Sequence, residues 1–251
     1  LTSKRWEILQ GANLNLSFPS VVGSMEVEGR TIEYGYATGI YVKHVAARTP
    51  VPSIPKQEEI DALGGDISKS DWEARFRLAY ERAHDKNITI LGGAAQVMLK
   101  FGRWLRKNHG VYPKDVWKFG VLTLGSSPGI NSTYRSRLLA FYGQQAGLME
   151  IYGATEGMFG QQRDERRYWV PNYDLYFFEV ETPGGIKLLH EMKPGETGSL
   201  VVSTPVLPRY KILDTIRAFE PPHFLCIGRD RKWTRAAYWL RRAIEFDLRP
   251  R

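Results

Sequence analysis

The chain has 251 residues, 43% of them hydrophobic, enough to bury one large core or two smaller ones, which excludes a disordered polymer. Lys and Arg number 35 against 27 Asp and Glu, a net charge of +8 that favours anionic partners, yet no zinc-finger spacing, recognition-helix pattern or aromatic RNA-binding consensus accompanies it, so nucleic acid is excluded as a partner. The single cysteine, Cys226, excludes an internal disulfide, and no apolar run is long enough for a membrane span, so a cytoplasmic protein with no membrane partner is expected.

Residues 1 to 55 are rich in Gly, Ser and Pro, with short alternating stretches such as Thr31-Ile32-Glu33-Tyr34 that predict strands between turns. Ser70-Asp71-Trp72-Glu73 reads as a capping box, opening a helix that carries Trp72, Phe76, Ala79, Tyr80 and Ala83 on one face. Asn87 to Leu91 predicts a short buried strand closed by Gly92-Gly93, followed by a helix that ends at Asn108-His109-Gly110. A similar unit follows: strand from Phe119 to Leu124, turn Gly125-Ser126-Ser127-Pro128-Gly129, helix from Thr133 to Gln145, strand from Leu148 to Tyr152. This order argues for parallel strands joined by crossovers.

After about residue 172 the pattern changes to strands without long helices. Leu175 to Glu181, Gly198 to Ser203 and His223 to Ile227 are separated by the turn signals Pro183-Gly184-Gly185 and Lys193-Pro194-Gly195. The expected fold class is therefore α/β, a parallel-stranded sheet with flanking helices over residues 1–172, followed by a β-rich subdomain over 173–232 and a basic tail over 233–251. The chain opens at Leu1 rather than methionine and closes on that basic segment, as expected of part of a longer protein.

In open α/β sheets ligands collect at the carboxyl ends of strands, which directs attention to two loops. Gly125 to Gly129 presents backbone amides and hydroxyls. Tyr152-Gly153-Ala154-Thr155-Glu156-Gly157 could stack a base on Tyr152, bond a phosphate oxygen with Thr155 and hold a divalent cation with Glu156; a plain turn with a helix-capping threonine fits the composition equally. Cys226, inside the apolar run Phe224-Leu225-Cys226-Ile227, reads as a buried small residue rather than a nucleophile.

Five blocks, in order and at plausible spacing over about residues 86 to 232, carry a resemblance to the ANL superfamily of adenylate-forming enzymes, the acyl-CoA synthetases, adenylation domains and luciferases. Tyr152 to Gly157 resembles its Tyr-Gly-x-Thr-Glu signature, and Gly125-Ser126-Ser127-Pro128 its adenine-binding Gly-Gly-Ala-Pro loop. Lys193 to Leu200 resembles the Pro-Gly-Glu-x-Gly-Glu-Leu segment, Tyr210-Lys211-Ile212-Leu213-Asp214 the Tyr-Arg-x-Gly-Asp ribose motif, and Gly228-Arg229-Asp230 the Gly-Arg-x-Asp hinge. Tyr34 to Ile40 and Phe177-Phe178-Glu179 look like the auxin-responsive branch, whose members join acids to amino acids.

The resemblance implies an ATP- and magnesium-dependent ligase. It would form an acyl-adenylate from a small-molecule carboxylic acid and pass the acyl group to an amino acid or coenzyme A. It further implies catalytic roles for Thr155 and Glu156, with Glu156 holding Mg2+ and Thr155 contacting phosphate. Nucleotide contacts would come from Gly125, Ser126, Ser127, Pro128, Tyr152 (packed on adenine), Gly153, Ala154, Asp214 (on the ribose hydroxyls) and Arg229. Met98, Phe101, Met158 and Phe159 are candidates for an acyl pocket, although each also reads as core.

The sequence departs from the family at Lys211, where Arg is usual, and at Leu213, where Gly is usual. The 251 residues contain neither the Ser/Thr-Gly-Thr-x-Gly phosphate loop nor the carboxyl-terminal subdomain with its lysine, so a non-catalytic nucleotide-binding domain, or an inactive fragment of such an enzyme, is the alternative. A hydrolase finds little support: there is no Gly-x-Ser-x-Gly elbow, and the five histidines fall in no triad or metal spacing.

Overall fold

Strands buried on both faces read as continuous apolar runs, and in the computed structural model the runs at 88–94 and 121–125 lie inside a parallel sheet. The structure describes residues 6–46, 48–125, 130–164, 166–231, 234, 236 and 237. The chain forms two units, Leu1–Glu150 and Ile151–Arg251, each with its own core.

The first unit begins with β1 (Ala12–Asn15), the hairpin β2 (Gly23–Val27) and β3 (Arg30–Tyr34), α1 (Ala37–Ala46), β4 (Ser53–Ile54) and α2 (Gln57–Ala62). It continues through α3 (Lys69–Ala83), β5 (Ile88–Ala94), α4 (Ala95–His109), α5 (Pro113–Val116), β6 (Val121–Gly125), α6 (Arg135–Tyr142) and the first half of β7 (Gly147–Ala154). The sheet order is β4-β1-β5-β6-β7 with every pair parallel, as the alternation of strands and helices predicts.

Leu14, Leu91, Leu122 and Leu124 from the strands meet Trp72, Phe76, Ala79 and Ala83 from α3 and Met98, Phe101 and Leu105 from α4. The helix residues recur at three- and four-residue spacing and so share a face. α4 ends at Gly110, whose φ of +73° is the left-handed cap that glycine adopts without steric cost.

Several elements differ from the sequence reading, among them α1, which lies within the 1–55 stretch read as strands between turns. The capping box of α3 is formed by Ser68 and Asp71, not by Ser70 and Glu73: the Ser68 hydroxyl accepts from the Asp71 amide at 3.2 Å and the Asp71 carboxylate accepts from the Ser68 amide at 2.9 Å. The helix starts at Lys69, one residue before Ser70, so that hydroxyl sits inside the first turn. β5 runs through Gly92-Gly93, because pairing with β6 continues from Ile90 to Ala94. The predicted helix over 133–145 is a π-helical turn (Ile130–Tyr134) leading into α6, which stops at Tyr142 because Gly143 has φ +107°.

The second unit holds the rest of β7, paired antiparallel with β8 (Gly157–Gln161), which pairs with β9 (Val170–Pro171). Its other sheet comprises β10 (Phe177–Thr182), β11 (Gly185–Leu188), β12 (Thr197–Ser203), β13 (Tyr210–Ala218) and β14 (Phe224–Arg229), ordered β11-β10-β12-β13-β14 and antiparallel throughout. Phe178, Val180, Leu200, Val202, Ile212 and Ile216 face Tyr152, Phe159 and Trp169 in the core. The change to strand-only pattern falls near residue 172, whereas the units divide after Glu150, inside β7. No helix among the described residues is long and apolar enough to cross a membrane.

Losing an N-cap hydroxyl costs about 1 kcal/mol, whereas a serine inside an exposed first turn is worth within about 0.5 kcal/mol. Ser68→Ala is therefore expected to lower the urea unfolding midpoint and Ser70→Ala to leave it nearly unchanged; the opposite ranking would restore the Ser70 box.

Candidate active site

The segment read from sequence as an open loop, Tyr152 to Gly157, is the tip of a tight hairpin. Tyr152, Gly153 and Ala154 end β7, Thr155 and Glu156 make the turn, and Gly157 opens β8, with Ala154 paired to Gly157 and Gly153 to Met158. Glycine makes the closure possible. A Cβ on Gly153 would lie 2.8 Å from the Gly157 carbonyl oxygen, and one on Gly157 would lie 2.6 Å from the Tyr176 hydroxyl. Thr155 is exposed and Glu156 half-buried. The Tyr210 hydroxyl faces the Glu156 carboxylate, which as an acceptor and a negative charge holds the phenol above its ordinary pKa.

Asp214 lies on β13 and is 9% exposed. Its Oδ2 accepts from the Tyr152 hydroxyl at 2.8 Å, and its Oδ1 lies 3.2 Å from Nη1 of Arg229, which also donates to the Ile212 carbonyl at 3.1 Å. Asp214 and Arg229 are register partners across β13 and β14. The Arg229 side chain is largely exposed, so this ion pair fixes geometry more than it adds stability. Burial, then the charge of Asp214, pushes the Cys226 thiol up to about 12, in keeping with a packed, unreactive cysteine.

The Tyr152 ring is 7% exposed and stacks on Trp169 with centroids 4.7 Å apart at 6°, while Phe159 and Phe224 close its edges. Its burial, followed by the nearby Cys226 and Asp214, raises the phenol pKa strongly. One ring face is thus occupied by protein, and the polar contact of Tyr152 is a hydrogen bond to Asp214, a use the sequence reading of Tyr152 as a base platform did not include.

Leu213, where the family motif has glycine, adopts φ +62°, and its carbonyl accepts from the Asp230 amide at 2.8 Å. The backbone here requires the left-handed region, which explains the glycine preference and makes leucine strained by roughly 1–2 kcal/mol. Lys211, in the place of the usual arginine, reaches Glu181 at 2.6 Å and Asp230 at 3.8 Å.

The remaining predicted residues are elsewhere. Gly125 ends β6, while Ser126, Ser127 and Pro128 lie outside the described residues. Met98 and Phe101 are buried in the first core and Phe159 in the second, so their side chains are packing rather than an open acyl pocket; Met158 is half-buried. Tyr210 and Trp169 are contributors that sequence reasoning missed in these roles. Tyr210 was visible as the first residue of its motif, but nothing in the sequence marked Trp169 as the partner of Tyr152. No cluster of three or more His, Cys, Asp or Glu suited to a metal occurs among the described residues.

No family model matches the chain, and no curated protein sequence matches it. Solved structures do. An acyl acid amido synthetase in complex with 2,4-DB superposes with TM-score 0.65 at 16% identity, covering 88% of this chain and 48% of its own. A 2-hydroxyisobutyryl-CoA ligase in complex with 2-HIB-AMP and CoA gives 0.56 at 14% identity, covering 74% and 41%, and ATP-bound MatB from Rhodopseudomonas palustris gives 0.52 at 15%, covering 91% and 42%. The chain spans about half the length of the solved structures it matches, and it shares their fold over that span.

Relieving the left-handed strain at residue 213 gives a direct check. Leu213→Gly is expected to raise the unfolding free energy by up to about 1 kcal/mol, the gain being reduced by glycine's extra freedom in the unfolded chain, and Leu213→Val to lower it. Equal midpoints for all three proteins in urea titration would remove the strain.

Proposed function

We propose that the chain forms the nucleotide-binding part of an ATP-dependent acid ligase that makes an acyl-adenylate and passes the acyl group to an amino acid or coenzyme A. The observation that carries this reading is the convergence, within the second unit, of motif residues far apart in sequence: Tyr152 on Asp214 across 62 positions, Asp214 on Arg229, and Glu156 on Tyr210. The fold shared with acyl acid amido synthetases and acyl-CoA ligases supports it.

In this reading a carboxylate oxygen of the acid attacks the α-phosphorus of ATP, the bond to the β-phosphate oxygen breaks, and pyrophosphate leaves. The amine or thiol then attacks the acyl carbonyl carbon, and AMP departs with the electron pair of the C–O bond. Asp214 accepts hydrogen bonds from the ribose hydroxyls, each charge-assisted. Arg229 steadies that carboxylate, and Thr155, exposed at the hairpin tip, donates to a phosphate oxygen. Positioned donors and charges of this kind usually make the largest contribution to catalysis.

Magnesium commonly takes one or two protein carboxylates and fills its other positions with phosphate oxygens and water, so a lone half-buried Glu156 held by Tyr210 fits such an ion. The ion would neutralise phosphate charge when bound. Because the 251 residues contain no Ser/Thr-Gly-Thr-x-Gly loop, a second reading is favoured for this chain by itself: nucleotide binding without turnover.

Asp214→Ala is expected to weaken ATP binding by about tenfold or more, since each charge-assisted bond is worth roughly 1.5–3 kcal/mol. The same change should leave 2′,3′-dideoxy-ATP, which lacks both hydroxyls, nearly unaffected. Calorimetric titration of both nucleotides against both proteins decides it: equal loss for the two nucleotides, or none for ATP, removes Asp214 from the ribose. Glu156→Gln should keep the melting temperature and reduce the magnesium dependence of ATP binding; an unaltered dependence on magnesium concentration would end the metal assignment.

A further inference from the structure

A carboxylate offers about four lone-pair directions, and protein groups occupy only part of those on Asp214, where Oδ2 accepts from Tyr152 and Oδ1 faces Arg229. Which directions remain for a ligand depends on the plane in which the carboxylate is held. Its partners differ in how firmly they can hold it. The Arg229 side chain is 63% exposed, and a guanidinium on a long solvated stem moves at little cost. Tyr152 is buried, so its hydroxyl is the fixed point, provided that its ring is fixed.

A tyrosine displaces its hydroxyl by swinging the whole ring about the first side-chain torsion. Trp169 lies flat on the Tyr152 ring at 4.7 Å and 6° and opposes that swing. Phe224 meets both rings edge-on, Tyr152 at 78° and Trp169 at 73°, with centroids 5.7 Å away in each case. Gly160, the register partner of Tyr152, leaves room for this arrangement, since a Cβ there would lie 3.0 Å from the Phe224 ring.

Trp169 is itself anchored through its backbone. Its amide donates to the Phe224 carbonyl at 2.9 Å, and its carbonyl accepts from the Phe224 amide at 3.0 Å. Phe224 opens β14, the strand that ends at Arg229. One residue therefore contacts Tyr152 through its ring and the strand of Arg229 through its backbone. The polar atom of the indole takes no part: Nε1 of Trp169 is buried without a hydrogen-bond partner among the described residues. An unpaired buried donor costs stability, so the contribution of the tryptophan here is its flat ring.

We propose that Trp169 is a positioning residue for ribose recognition: by fixing the Tyr152 ring it sets the plane in which Asp214 presents its remaining lone pairs to the ribose hydroxyls. It acts through Tyr152 rather than on the nucleotide, and it lies outside every motif block. The inference rests on the nucleotide reading of Asp214 and adds to it the residue that orients the carboxylate.

Calorimetric titration of ATP and 2′,3′-dideoxy-ATP reads the ratio of the two affinities, which a loss of stability alone does not change, because both nucleotides bind the same folded chain. Trp169→Phe keeps a flat ring on Tyr152 and is expected to keep the ratio. Trp169→Leu removes the stack and is expected to lower the ratio about fivefold, by weakening ATP and not the dideoxy nucleotide. Tyr152→Phe leaves the stack and takes away only the hydroxyl. It is expected to lower the ratio similarly, and adding Trp169→Leu to it should lower the ratio no further. If Trp169→Leu does not fold, Trp169→Met, apolar but without a plane, replaces it, and if neither folds Tyr152→Phe decides. The parent ratio kept by Trp169→Leu or by Tyr152→Phe, an equal loss in Trp169→Phe, or a further loss in the double variant overturns the inference. A ratio unchanged in Asp214→Ala overturns the nucleotide reading together with it, so the two failures are told apart.

Discussion

A carboxylate taken out of water must be met by donors, and Asp214 is the point around which the second unit is arranged. The Tyr152 hydroxyl reaches one oxygen and Arg229 the other, so a strand from the hairpin, a strand of the five-stranded sheet and its neighbour converge on one side chain. Removing one partner of such a group leaves the desolvation cost behind, which is larger than the net value of the bond. The aromatic stack of Tyr152 on Trp169 then follows, since a ring held at 6° to its neighbour has little freedom to move its hydroxyl away from the carboxylate.

The same demand explains the backbone next to it. For Asp214 to face inward while its strand continues to Ala218, the chain turns at Leu213 through φ +62°, and pairing of β13 with β14 shifts register one step further on, between Thr215 and Ile216. Strain of this sort persists where surrounding bonds over-determine the geometry. Here the Asp230 amide on the Leu213 carbonyl and the Arg229 guanidinium on the Ile212 carbonyl do so.

Toward the start of β13, Asp214 meets Tyr152 of the hairpin and Arg229 of the neighbouring strand, and this is the convergence on which the proposed nucleotide site rests. The first unit supplies a scaffold in which α3 and α4 cover a parallel sheet through Trp72, Phe76, Met98 and Phe101, leaving those side chains as core.

Local rules read along the chain were sufficient for the alternation from α3 to β7, because its strands are buried on both faces and its helices carry an apolar face at helical spacing, but they missed α1 within the stretch read as strands between turns. They were sufficient as well for most strands of the β-rich part. End points were less legible: Ser68 and Ser70 have the same hydroxyl, and only the position of the first helical turn selects between them. What the tertiary structure alone decided was how the motifs use their side chains. Trp169 faces Tyr152 through the meeting of β7, β8 and the segment before Phe224, and Asp214 reaches Tyr152 across 62 positions. A contact of that separation leaves no periodic trace in sequence, because it arises from strand pairing and burial, which specify distance in space and not distance along the chain.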